Sequence, residues 1–146
     1  MPAHPTGARV QTFAAKLNQP GKTSGICLRG LAGWGDNMAS LDAVVNTFGG
    51  EWFNMSWQPQ LTSPAFESAT SFYVNLVDGT HPTHPTLNPV PHVGIQYVDI
   101  PQFESLGVAV GQQIAGAIAG TESVSQALSA SQAAASQYAP AELSAY

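Results

Sequence analysis

Residues 24–60 read SGICLRGLAGWGDNMASLDAVVNTFGGEWFNMSWQPQ, and the order of residue types within them sets the expected fold. An apolar run at residues 25–28 reads as a short strand. From Trp34 onward, Met38, Leu41, Val45 and Phe48 recur at alternating steps of four and three, the spacing of one buried helix face. Gly49 and Gly50 supply the stop expected at a helix C-terminus, and residues 51–54 read as extended again. A strand, a helix and a further extended piece in succession point to an α/β chain.

Between the strand and the helix stand Arg29, Trp34, Asp36 and Asn37. An indole offers a flat apolar face to the C–H side of a polyhydroxylated molecule, and arginine, carboxylate and amide supply donors and acceptors for its hydroxyls. Each residue also has a plainer reading. Trp34 shares the stripe of Met38 and Leu41 and so suits a core position, while Arg29 suits an ion pair with Asp36 or Asp42. Trp52 and Trp57 read as packing residues. Cys27, between Ile26 and Leu28, reads as a buried strand thiol, and as the single cysteine it forms no intrachain disulfide.

Outward from this stretch, the pattern is mostly helical. Thr6 reads as the cap of a helix with Val10, Phe13, Ala14 and Leu17 on one face, broken at Asn18-Gln19-Pro20-Gly21. Ser63-Pro64 opens a helix whose stripe is Phe66, Ala69, Tyr73 and Leu76, and Asp78-Gly79 ends it. Residues 80–92, THPTHPTLNPVPH, hold four prolines that donate no backbone hydrogen bond, which makes them a linker or extended arm. Residues 93–99 read as a strand. Pro101 then opens a helix with Phe103, Leu106, Val110, Ile114 and Ala117 on one side, closed by Gly120. Ser123 and Gln126 form a capping box for a last helix rich in Ala, Ser and Gln, with Val124, Leu128, Ala135 and Tyr138 along its thinner stripe. The expected organisation is residues 1–79, a proline-rich linker at 80–92, and residues 93–146, together one compact domain of 146 residues.

Composition narrows the function classes. Apolar residues make up 44% of the chain and charged residues 9%, against roughly a quarter charged in ordinary soluble chains. Arg9, Lys16, Lys22 and Arg29 are the basic residues, and all nine acids follow Arg29. With a net charge of -5 and no clustered cations, the chain lacks what a nucleic acid's phosphates require. No apolar run approaches the roughly 18 to 20 residues of a membrane span, which argues against direct membrane insertion. His81, His84 and His92 sit beside prolines without a helical zinc-binding spacing, so no metal is expected. Gly30, Gly33 and Gly35 do not make a dinucleotide fingerprint, and no phosphate loop or nucleophile elbow is present. Neither enzymatic activity nor a cofactor is expected.

GICLRG, GWGDNM and NTFGGEWF, in that order and spacing, resemble the middle of the polyol-type (sorbitol/mannitol) substrate-binding proteins of ABC importers, within extracellular solute-binding family 1. Residues 91–132, PHVGIQYVDIPQFESLGVAVGQQIAGAIAGTESVSQALSASQ, resemble the C-terminal end of the same proteins, including the IPQF turn and the QALSASQ helix. The resemblance implies part of a type II periplasmic-binding-protein lobe, helix-rich with a few short strands, in a relative shortened at its N-terminus and internally deleted near residues 77–83. It implies a sugar alcohol or sugar as ligand and, in an intact relative, permease subunits as partners. Carried over residue by residue, Arg29 hydrogen-bonds ligand hydroxyls, Trp34 stacks on the ligand, and Asp36 with Asn37 fixes its orientation. Periplasmic location follows from the resemblance, whereas the sequence as written, without a signal peptide, reads as soluble and cytoplasmic. Without an opposing lobe, reduced affinity or none is expected. The alternative is a small interaction module that self-associates through apolar faces left uncovered.

Overall fold

A computed structural model describes residues 6–19, 21–78 and 100–138. Their regular elements are α1 (Gly7–Leu17), α2 (Asn37–Thr47), α3 (Pro64–Asp78), α4 (Phe103–Ile118) and α5 (Val124–Tyr138). Every helix expected from periodicity is present. The expected linker at 80–92 and strand at 93–99 lie outside the described residues.

Local chemistry accounts for the helix ends. At α1 the Thr6 hydroxyl accepts from the Arg9 N–H, and at α3 the Ser63 carbonyl accepts from the Glu67 N–H at 2.9 Å. At α5 the capping box is reciprocal: Ser123 N–H donates to Gln126 Oε1 at 2.9 Å, and Gln126 N–H donates to Ser123 Oγ at 3.2 Å. Gly120 ends α4 with φ 71°, a left-handed conformation that costs glycine nothing, and Thr121 N–H reaches back to the Gly116 carbonyl at 3.0 Å.

Helices α4 and α5 fold back on one another across residues 119–123, and α3 packs against α2, α4 and α5. The stripes meet in one core that includes Met38, Leu41 and Val45 of α2, Phe66 and Tyr73 of α3, Leu106, Val110 and Ile114 of α4, and Leu128 of α5. These nine side chains are buried to within 1% relative exposure, so burial of each large apolar group contributes about 1.5–3 kcal/mol.

Three expectations are corrected. Among the described residues there is no strand; extended backbone is limited to isolated bridges between Gln19 and Thr23 and between Phe53 and Pro59. Residues 25–28 make no β-bridge, and a strand needs a partner to form a ladder. The described part is therefore helix-rich, as expected of a partial lobe, and shows no sheet among the described residues. Cys27 is exposed rather than buried. Its neighbours Ile26 and Leu28 pack against the buried cluster of Ala14, Phe72 and Leu76, while Cys27 between them is left outside it. Finally, α1 buries Ala14 alone; Val10, Phe13 and Leu17 stay 36%, 40% and 60% exposed. The stripe is there, but no described element covers most of it.

Candidate functional site

The backbone from Arg29 to α2 is laid over α3 and α4. Tyr73 of α3 donates its hydroxyl to the Arg29 carbonyl at 2.7 Å, and burial pushes the Tyr73 phenol pKa up. Gly107 and Gly111, one turn apart on α4, form the seat for the following loop. A Cβ at 107 would lie 2.8 Å from the Trp34 Cβ, and one at 111 would lie 2.8 Å from Asn37 Oδ1. Larger residues there would expel the loop.

Asn37 is the loop's buried fastener. It is fully buried, its Nδ2 donates to the Gly111 carbonyl at 2.7 Å, and its Oδ1 accepts from the Gly33 N–H at 3.3 Å. Backbone bonds from Asp36 N–H to the Gly33 carbonyl (3.1 Å) and from Asn37 N–H to the Leu31 carbonyl (3.1 Å) complete the turn. Both ends of the Asn37 amide are thus engaged by the protein itself.

Above that floor stand the other three residues. Trp34 precedes the first turn of α2 and is 40% exposed, so it is not the core residue its spacing also allowed. Arg29 donates through Nη1 to the Gly35 carbonyl at 2.6 Å, and the same nitrogen lies 3.9 Å from Asp36 Oδ1. The Arg29 and Asp36 side chains remain 64% and 45% exposed, so this ion pair is loose and solvated. Arg29, Trp34 and Asp36 are all partly exposed, with Arg29 Nη1 and Asp36 Oδ1 3.9 Å apart.

Sequence reading missed a buried acid nearby. Asp42 on α2 is 1% exposed, accepts from the Trp52 indole Nε1 at 3.2 Å, and leaves Oδ2 without a hydrogen-bond partner. Burial raises its pKa to about 8, with the Trp52 bond opposing the rise. Asp42 stands four residues after Met38 and three before Val45, so helical spacing sets it on the flank of the apolar stripe. Gln132, the last residue of QALSASQ, was missed too: it accepts from the Leu61 N–H at 2.8 Å and donates to the Pro59 carbonyl at 2.7 Å. The Gly107/Gly111 pair was the legible signal, since glycines four apart in an apolar helix mark a close approach.

No protein-family profile matches the chain. A stretch of 76 residues, 51% of the chain, is 46% identical to the mannitol-binding protein of Pseudomonas aeruginosa and covers 17% of that protein. In fold, the chain is similar to an ABC transporter solute-binding protein from Agrobacterium vitis S4 solved with bound D-mannitol, with a TM-score of 0.79 and 22% identity. That likeness covers 94% of this chain and 66% of the solved one. The resemblance to polyol-type substrate-binding proteins therefore holds in sequence and in fold, and the chain spans less than two thirds of either relative. Among the described residues, no helix is long and apolar enough to cross a membrane.

Proposed function

We propose that this chain carries one wall of a sugar-alcohol site belonging to a solute-binding component of an ABC importer, and that it works by reversible binding without chemistry. The observation that carries this reading is the joint exposure of Arg29, Trp34 and Asp36 on a loop held down by buried Asn37. The 46% identity to a mannitol-binding protein supports mannitol or a close polyol as the ligand. Trp34 would take the C–H face, Arg29 and Asp36 the hydroxyls, and Asn37 the task of keeping the loop in register. Permease subunits would be the partners of an intact protein, outside the cytoplasm, and the relatives lend no support to the cytoplasmic expectation.

Hydroxyl groups are discriminated strongly only where mismatched partners would be left buried and unpaired. Arg29 and Asp36 are open to water, so this wall alone should bind weakly. Calorimetry with mannitol, sorbitol and maltose tests the proposal. Saturable heats for the polyols at roughly millimolar ligand, lost in Arg29→Ala, are expected. Equal heats for maltose, or polyol heats unaffected by that substitution, would count against it.

Self-association is a second reading, favoured by the exposure of Val10, Phe13 and Leu17 on α1. Light scattering decides it: a monomer at high concentration removes this reading.

A further inference from the structure

Past the C-terminal end of α2 lies a pocket of about 300 Å³ lined by Glu51, Trp52, Phe53, Asn54, Met55 and Trp57. Phe53 and Trp57 contact each other at a tilt, with ring centroids 5.7 Å apart, and Trp52 stands edge-on to Phe66 and Phe103. Trp57 holds φ at 56°, a left-handed conformation that a bulky residue adopts only when its surroundings impose it. They do: Asn54 Oδ1 accepts from the Ser56 and Gln58 N–H groups at 3.0 and 2.9 Å, and the Asn54 carbonyl accepts from the Trp57 N–H at 2.9 Å. The rings are set before any ligand arrives.

Two donors of this lining already have protein partners. Trp52 Nε1 is engaged by Asp42, and Asn54 Nδ2 donates to Gln58 Oε1 at 2.9 Å. A polyol here would find few partners for its hydroxyls. What the lining offers instead is aromatic side chains and the exposed carboxylate of Glu51, with no basic residue among the lining residues. Such a lining suits a cation that needs no hydrogen bonds, held by ring quadrupoles and one carboxylate.

We propose that this pocket binds a small methylated ammonium ion, of the size and charge of choline, independently of the polyol site. The test is a titration of the full chain with choline, with its neutral isostere 3,3-dimethylbutan-1-ol and with mannitol, followed by NMR at the tryptophan indoles. Choline is expected to shift the Trp52 and Trp57 resonances saturably while leaving Trp34 unmoved. It should bind roughly fivefold or more tightly than the isostere, and Glu51→Gln should weaken it by a similar factor. Glu51 is exposed, so that variant keeps the fold, which circular dichroism verifies. Equal affinity for the neutral isostere, mannitol shifting the same indoles, or no saturation with choline would each overturn the proposal. Arg29→Ala should leave choline binding unchanged, so failure here and failure of the polyol reading are separable.

Discussion

The loops entering and leaving α2 are both rich in tryptophan and polar residues, yet they dispose of their polar atoms in opposite ways. On the way in, buried Asn37 carries the buried bonds, and Arg29, Trp34 and Asp36 stay partly exposed, Arg29 also bonding the Gly35 carbonyl. On the way out, Asn54 and Trp52 turn their polar atoms onto the protein, and aromatic surface lines the concavity. Residue types alone would have assigned both loops to the same kind of ligand. Which hydrogen-bonding groups remain free, not which are present, separates a surface suited to hydroxyls from one suited to an apolar cation.

The outgoing loop rests on a carboxyl whose folded pKa of about 8 exceeds its unfolded value of 3.8, and this gives the largest expected effect. Below the unfolded value both states are protonated and the stability is fully present. As pH rises, the unfolded chain releases a proton that the folded chain keeps, and stability is lost up to the folded pKa at about 1.4 kcal/mol per pH unit. Denaturation between pH 4.5 and 7.5 should show up to about 4 kcal/mol of loss that Asp42→Asn abolishes. A wild-type profile as flat as the variant's would mean that the Trp52 contact is made to a charged carboxylate.

The incoming loop depends on its seat in α4. Gly111→Val should destabilise the fold by about 3 kcal/mol, combining overpacking with loss of the buried Asn37 bond, as measured by urea unfolding. It should also weaken polyol heats while leaving the Trp57 indole resonance in place. Disturbance of both loops together would erase the distinction drawn between them. The smallest structural effect belongs to Arg29→Ala: its ion pair is solvated, so stability should change by no more than about 0.5 kcal/mol while polyol heats disappear.

Much of the fold was legible without coordinates. All five helices were readable because a helix is a local object: 3.6-residue periodicity, a Ser/Gln capping box and a terminal glycine act within a few residues of one another. The candidate site was legible in part. Its residues were identified by type, but Asn37 went to the floor and Arg29, Trp34 and Asp36 to the surface, an outcome decided by glycines more than seventy positions away.

By itself, then, the sequence determined the positions of the helices, the charge segregation that disfavours nucleic acid, and the likeness to polyol-binding proteins. Tertiary structure alone decided that Cys27 faces out, that most of the α1 stripe goes uncovered by the described residues, that Asp42 is buried with its pKa raised, and that the two α2 loops present different chemistry. Periodicity states which side of an element is apolar. Whether that side, or any polar atom beside it, is shut away from water depends on what the rest of the chain brings against it.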